Sequence, residues 1–187
     1  LNSKGKLTID GGSQVVANDH FNVGNLAEGT AIVSGETTSL VAKGERATRI
    51  GDGARGTLIV QDGARADLRN VYVGVTTASP DVRGVVEITG NNSLLLVDDL
   101  LEIGSFAHGE LKAQQGGRVT TNNLTVASMA GSQGEVLISG KNTRLHVKNN
   151  AVIGAEGQGS LVVNEQAQAI FDKGLGLGSD AGGVGTV

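Results

Sequence analysis

Residues 51–56 have the glycine spacing of a loop that binds a dinucleotide. Their sequence, GDGARG, fits the G-x-G-x-x-G pattern, in which backbone N–H groups and the N-terminus of a following helix hold a pyrophosphate. The residues that follow belong to a strand pattern and not to a helix. A similar pair of glycines recurs at 104–109 and 154–159. The sequence therefore predicts a repeated turn at these positions, and we expect no cofactor.

The acidic residues do not form the convergent pair that glycoside hydrolysis requires. Asp98 and Asp99 are adjacent, so on a strand we expect their side chains to point to opposite faces. Asp19, Asp52 and Asp62 are predicted to be polar turn residues, the last two because each precedes a glycine. The sequence contains no Trp, which often forms a platform for sugar rings. We therefore predict no catalytic residues and expect that the chain is not an enzyme.

Metal and modification sites are also poorly supported. His20, His108 and His146 fall at different positions of the repeat described below, which predicts three separate, solvated side chains and no shared metal site. There is no cysteine, so disulfides and thiolate metal sites are excluded. Residues 91–93 and 123–125 match the glycosylation sequon, but two matches are close to chance in a chain rich in Asn.

The composition favours an elongated repeat over a globular core. Among 187 residues there are 30 glycines, one proline and only four aromatic residues, so few bulky side chains can organise a compact interior. The net charge is −4, from 15 Lys and Arg against 19 Asp and Glu, and no basic run exists, which argues against nucleic-acid binding. No apolar stretch approaches the roughly 18 residues of a membrane helix, so we expect no direct insertion of this chain into a membrane.

A glycine followed by alternating apolar residues recurs every 24 to 28 residues. The copies begin at Gly5, Gly29, Gly56, Gly84, Gly109, Gly134 and Gly159, and a truncated copy begins at Gly185. We call each copy a coil. The period of two predicts three short strands in each coil and no helix. In the third coil the residues predicted to face inward are Leu58, Val60, Ala66, Leu68, Val71 and Val73.

The coils alternate between two lengths. The middle segment is longer after Gly29, Gly84 and Gly134 than after Gly5, Gly56 and Gly109, so the unit of repetition is a pair of coils. Stacking at about 4.8 Å would pair every strand with the coils above and below. The sequence thus predicts an all-β, right-handed parallel β-helix of about seven three-stranded coils, a single segment over 1–187. Because the pattern runs to both termini, we expect neighbouring coils or caps in a longer protein.

The paired coils resemble the passenger domains of bacterial autotransporters, the proteins of type V secretion. The resemblance lies in blocks such as GEVLISGKNTRLHVKNNAVIGAEGQGSLVV, and it extends over nearly the whole chain. It implies a surface-exposed or secreted segment that is anchored in the outer membrane by a barrel outside this sequence. It also implies an adhesin or stalk that associates with itself or binds a host-surface or extracellular-matrix ligand. The alternatives are a carbohydrate-active β-helix with catalytic coils outside this segment, and a purely structural rod.

Two surface features depart from the regular pattern. The outward position of the first strand, followed from coil to coil, contains Ile32, Ile59, Leu137 and Val162, which we call the apolar stripe. A Glu87 to Lys112 pair is predicted between its two halves. This stripe either docks a partner or a second copy of the chain, or it reflects only the β-propensity of these residues.

The second feature is the turn between Gly74 and Gly84, which is about twice as long as its equivalents. This corner contains Pro80, Asp81 and Arg83, and the next coil adds Phe106 and His108. Loops on a rigid scaffold commonly bind ligands, although an inserted corner without a function explains the same residues. We select the stripe and this corner as the candidate interaction surfaces.

Overall fold

Short strands form throughout the part of the chain that the structure describes. The computed structural model describes residues 4–76 and 81–187, which contain strands and turns and no helix. In chain order the strands are β1 (Lys4–Ile9), β2 (Gln14–Ala17), β3 (Asn22–Val23), β4 (Glu28–Ser34), β5 (Ser39–Ala42), β6 (Thr48–Ile50), β7 (Gly56–Gln61), β8 (Arg65–Leu68), β9 (Val71–Val73), β10 (Arg83–Thr89), β11 (Leu94–Ile103), β12 (His108–Gln114), β13 (Arg118–Val126), β14 (Gln133–Ser139), β15 (Arg144–Val147), β16 (Ala151–Ile153), β17 (Gln158–Asn164), β18 (Gln168–Phe171), β19 (Leu175–Leu177) and β20 (Val184–Thr186).

Each strand pairs in parallel with its equivalents in the coils before and after. The first strands of the coils form a sheet of eight in the order β1-β4-β7-β10-β12-β14-β17-β20. The remaining strands form a twelve-stranded sheet that wraps the other two sides of the solenoid. The predicted parallel β-solenoid of about seven turns is confirmed, while its right-handedness stays a prediction.

The fourth and fifth coils differ from the predicted three strands. Here the second and third strands are continuous, as β11 and β13, and the register of β11 shifts between Val97 and Leu100. Only Asp98 and Asp99 lie between these two positions, so the chain turns the corner through a bulge and stays in the sheet. The prediction of three separate strands is therefore wrong for these two coils. It is confirmed for the first three coils and for the last two.

The interior is filled by columns of aliphatic side chains, one residue from each coil. All six residues predicted to face inward in the third coil are fully buried, which confirms the assignment of faces. Ala31, Leu58, Val86 and Leu111 illustrate one column, since their strands pair in register and their side chains are inaccessible to solvent. Burying a Leu or Val side chain contributes roughly 1.5–3 kcal/mol, so the columns are the main source of cohesion between coils.

The alternation of coil length has a structural cause at the corner between the first and second strands, which we call the first corner. It has four residues in the longer coils, at 35–38, 90–93 and 140–143, and three in the shorter coils, at 62–64, 115–117 and 165–167. Each of these three four-residue corners ends in a buried hydroxyl, whereas in coil one β1 and β2 are separated by residues 10–13, which end in the exposed Ser13. The three hydroxyl residues are Thr38, Ser93 and Thr143.

These hydroxyls each cap the first corner of the preceding coil. The N–H of Gly116 donates to Thr143 Oγ1 at 2.9 Å, and the N–H of Gly63 donates to Ser93 Oγ at 3.0 Å. Gly12 donates in the same way to Thr38 Oγ1 at 2.9 Å. A long coil therefore supplies the hydrogen-bond acceptor that the short coil before it requires. This explains why the repeating unit is a pair.

Candidate functional site

The glycine run at 51–56 is a turn, as predicted, and its backbone N–H groups are already hydrogen-bonded within the protein. The N–H groups of Asp52, Gly53 and Ala54 all lie within hydrogen-bonding distance of the Gly24 carbonyl oxygen, at 2.9, 3.3 and 3.1 Å. These amides are consequently not free to hold a phosphate. A Cβ atom at Gly56 would approach the Val23 carbonyl oxygen to 2.1 Å, so close packing between coils requires glycine there.

The adjacent aspartates do not point to opposite faces, and that prediction is wrong. Because the strand bulges at this corner, both side chains remain at the surface, where 40% of the Asp98 and 52% of the Asp99 side chain is exposed. Asp98 pairs with Lys43 at 2.9 Å, and Asp99 pairs with Arg69 at 3.2 Å. Asp99 therefore pairs with the preceding coil and Asp98 with the coil before that, and the two carboxylates do not converge on a common point.

Asp19, Asp52 and Asp62 lie in bends or turns, as predicted. The carboxylate of Asp52 accepts from Arg49 at 3.2 Å. Asp62 accepts from Ser34 at 2.8 Å. The partners of Asp52 and Asp62 lie in the same coil or the coil before, and Asp19 pairs with Arg46 of the next coil, so all three make local contacts within the scaffold.

The histidines lie apart, as predicted, but each has a side-chain partner. His20 Nδ1 is 3.0 Å from Asp19 Oδ2, and His146 Nε2 is 2.9 Å from Asp172 Oδ2. His108 Nδ1 lies 3.2 Å from Gln133 Oε1. The expectation of purely solvated rings is thus wrong. Within residues 4–76 and 81–187, no three His, Asp or Glu side chains are grouped so that they could hold a metal ion.

The apolar stripe has the register that the repeat predicts. Ile32 pairs with Ile59, and Leu137 pairs with Val162, in the eight-stranded sheet. The stripe is one column wide, because the neighbouring outward positions on the same strands are mostly polar. Only Val162 is strongly exposed, at 47%, while the other three residues are partly buried by their neighbours. Docking at this stripe stays a prediction.

Glu87 and Lys112 separate the two halves of the stripe and lie opposite each other in the register. The ion pair of Lys112, however, is formed with Glu110 on its own strand, at 2.6 Å between Nζ and Oε1. Residues two apart on a strand share a face, so this shorter route is open to a flexible lysine. The predicted register of Glu87 opposite Lys112 is confirmed. The prediction that these two residues form an ion pair is wrong, because Lys112 pairs with Glu110.

The corner between Gly74 and Gly84 is held at both of its described ends. Val75 and Val82 are buried, and the N–H of Val75 donates to the Gly51 carbonyl at 2.8 Å. Pro80, a candidate residue of this corner, lies outside the described residues. Phe106 of the next coil is 48% exposed, and its N–H donates to the Gly74 carbonyl at 3.1 Å. Phe106 therefore lies at the start of this corner, where the sequence predicted it.

Arg83, at the other end of this corner, forms an ion pair with Glu110, whose side chain is only 9% exposed. Its guanidinium lies 2.5 Å from Glu110 Oε2, while Lys112 holds the other carboxylate oxygen. Burial raises the pKa of Glu110, but the hydrogen bonds and charges of Lys112 and Arg83 outweigh it, and the net pKa is lowered. Sequence analysis selected Arg83 and missed Glu110. The 27-residue separation of the two gives no signal until the coils are aligned.

His108 lies beside this cluster on the same edge of the sheet, in register with Arg83 and Gln133. Its Nε2 atom is buried and has no hydrogen-bond partner among the described residues. Asp81, Arg83, Phe106 and His108 thus belong to two adjacent coils, and the structure places them at one corner of the solenoid.

No family model matches the chain, and no curated protein or solved structure matches it either. In the described residues there is no helix of sufficient length and hydropathy to cross a membrane.

Proposed function

We propose that the chain is an adhesive segment of an autotransporter passenger domain that acts at the bacterial cell surface without catalysis. It attaches cells to a host surface or matrix, or to each other, and it is secreted as part of a larger protein. The observation that supports this most is the unbroken register of the eight-stranded sheet from β1 to β20. Seven coils at about 4.8 Å give a rod of roughly 34 Å whose outward positions form straight columns.

Such a scaffold suits repeated, low-energy contacts over a long surface. Every strand between β1 and β20 in this sheet is fixed on both sides by its neighbours, so the outward columns are held without the entropy cost of ordering a loop. The apolar stripe and the corner from Gly74 to Gly84 supply surface chemistry that the regular repeat lacks. The resemblance to passenger domains supports the location at the cell surface.

Attachment can be measured with beads that carry the purified chain. We expect these beads to adhere to epithelial cells or to matrix-coated wells more than beads coated with albumin, or the free chain to associate with itself in sedimentation. A chain that does neither would contradict the proposal. Release of new reducing ends from plant, bacterial or host polysaccharides by the purified chain would instead favour the carbohydrate-active alternative.

A further inference from the structure

A groove along the first corner of coils four to seven is lined by a group of cations. The groove has a volume of about 750 Å³. Its charged lining residues are Arg118, Lys141 and Arg144, and no acidic side chain lines it. None of the three takes part in an ion pair within the described residues. We call this feature the basic groove.

The two arginines are held in a fixed ladder. Arg118 begins β13 and Arg144 begins β15, and the two residues are direct partners in the register. Their Cα atoms are consequently separated by about one strand spacing, roughly 4.8 Å. Two cations in direct register without a counter-ion repel each other, and an anion bound by both would remove this repulsion.

The walls of the groove come from the alternation of corner length. The four-residue corners at 90–93 and 140–143 flank the three-residue corner at 115–117. Gly116 in this shorter corner is buried, and a Cβ atom there would come within 2.2 Å of the Asn91 side-chain oxygen. The pairing of long and short coils thus produces a recess, and the arginine ladder lies along it.

Amide side chains provide most of the remaining lining, among them those of Asn91, Asn142, Gln166 and Gln168. An amide offers both donors and an acceptor, which matches sugar hydroxyls that also donate and accept. A ligand that presented only phosphate oxygens would not use the acceptors. No aromatic side chain lines the groove, so neither bases nor sugar rings would stack in it, and binding would depend on charge and hydrogen bonds.

We propose that the basic groove binds a linear acidic polysaccharide, with Arg118 and Arg144 holding its carboxylate or sulfate groups and the amides contacting its hydroxyls. Guanidinium groups bind such planar or tripodal oxyanions through two parallel hydrogen bonds. Arg118 and Arg144 follow one another along the axis of the solenoid, so a chain of sugars that contacts both would lie parallel to the rod. This inference rests on the proposed adhesive function and names a ligand class for it.

The test measures binding of the purified chain to polygalacturonate, dextran sulfate, neutral dextran and oligo-dT in buffer without divalent cations. We expect binding to at least one acidic polysaccharide and none to neutral dextran. Preference for polygalacturonate assigns the anion as a carboxylate, and preference for dextran sulfate assigns it as a sulfate. Tighter binding of oligo-dT than of either polysaccharide would overturn the proposal in favour of nucleic acid.

Substitutions of the two arginines test whether the polysaccharide binds in the basic groove. Arg118→Gln with Arg144→Gln is expected to weaken binding at least tenfold and to flatten the dependence of log K on log salt by about one unit per cation removed. Arg65→Gln is the matched control, because Arg65 occupies the same column but is paired with Asp67. Its affinity should stay within twofold of the parent. These exposed substitutions should leave folding intact, as circular dichroism can verify.

Equal binding by the double variant and the parent would overturn the groove as the site. The outcome also separates the two proposals. If the parent chain attaches to surfaces but binds neither acidic polysaccharide, this inference fails and the adhesive function stands. If the parent chain neither attaches to surfaces nor associates with itself, the proposed function fails as well.

Discussion

The first corner has the same backbone structure in the upstream half of the solenoid, coils one to three, and in the downstream half, coils four to seven. The charges of its exposed side chains differ between the two halves. In coils one and two, the Gly12 N–H donates to Thr38 Oγ1, and in coils five and six, the Gly116 N–H donates to Thr143 Oγ1, both at 2.9 Å. Both hydroxyl residues are buried. The backbone and its capping hydroxyl are therefore common to the two halves.

The exposed side chains at this corner differ between the halves. Arg65 Nε donates to Asp67 Oδ1 at 2.7 Å, so the upstream cation is neutralised on its own strand. At the equivalent position beside Arg118 the chain has Thr120, which carries no charge. The residue two positions after Arg144 is His146, and its ring is paired with Asp172. The downstream arginines thus keep their charge available to a ligand.

This comparison separates two roles of the sequence. The buried hydroxyl and the glycine it caps define the shape of the corner, since loss of either leaves a polar group without a partner or a side chain without space. The exposed positions next to them can change charge without affecting that shape. A solenoid can thereby change its ligand along its length while the fold stays constant.

The largest expected effect comes from removing the shared cap. Thr143→Val keeps the volume of the side chain but leaves the Gly116 N–H buried without its acceptor, which costs about 1–3 kcal/mol of unfolding free energy. Thr38→Val should cost less, because Gly12 is capped in the same way but is exposed, so water can replace the lost acceptor. Urea denaturation of both variants measures the loss. Thr120→Val, at a position without this role, is the control, and an effect confined to one half would break the comparison.

A second prediction transfers the upstream charge pattern to the downstream half. Thr120→Asp places a carboxylate two residues after Arg118, as Asp67 stands after Arg65. We expect this pair to weaken binding of acidic polysaccharide by about 1.5- to fivefold, the range of an exposed ion pair. Titration of the labelled polysaccharide measures it, with Thr120→Asn as the uncharged control. Unchanged affinity would indicate that Arg118 does not contact the ligand.

Much of this fold follows from the sequence because its periods are simple. An alternation of two assigns inward and outward faces, and a repeat of 24 to 28 residues aligns the faces of successive coils, so that Leu58 and Val60 are placed correctly in the interior. The same alignment gives the register of the apolar stripe. Neither result requires any knowledge of how the corners are shaped.

The features that the sequence did not predict all depend on corners or on long side chains. Continuous strands at β11 and β13 arise because two residues suffice to turn that corner through a bulge. The partner of Lys112 depends on how far a flexible side chain reaches, and a strand pattern does not specify this. The basic groove arises from a one-residue difference between adjacent corners. Aligning Arg118 with Arg144 in the repeat would have been the only signal of it.

Glu110 extends the comparison to the eight-stranded sheet, where its carboxylate pairs with both Arg83 and Lys112. Its folded pKa is lowered, so it stabilises the fold at neutral pH, and this contribution is lost as the pH falls below about 4.3, the ordinary value, and through the folded pKa. Glu110→Gln should therefore be less stable than the parent at pH 7, and the difference should shrink in acid. Glu135→Gln, the exposed neighbour in the same column, is the control in denaturation curves across this range.

Should the stabilities of the Glu110→Gln variant and the parent differ by the same amount at pH 7 and pH 3, the Glu110 charge would not be responsible for the difference. Arg83 and Lys112 would then act through packing of their aliphatic stems alone.

Substitutions in the apolar stripe have the smallest expected effect on stability. They also test whether both halves of the solenoid contribute to one contact between copies of the chain. Ile59 lies in the upstream half and Leu137 in the downstream half, and both are only partly buried. Changing both to Lys should cost little folding energy, about 1 kcal/mol or less at each strand position. If copies of the chain associate through the stripe, however, the double variant should lose concentration-dependent sedimentation, because two charges would be buried at the contact.

The control for this experiment adds the same charge to the same sheet outside the stripe, as Gln114→Lys with Ser160→Lys. Association that survives in the control and disappears in the stripe variant would assign the interface to the stripe. Each single substitution should then weaken association to a similar degree, because a contact that runs along the rod uses both halves. Association that persists unchanged in the stripe double variant would mean that copies meet at another surface. In that case the two halves would have in common only their scaffold.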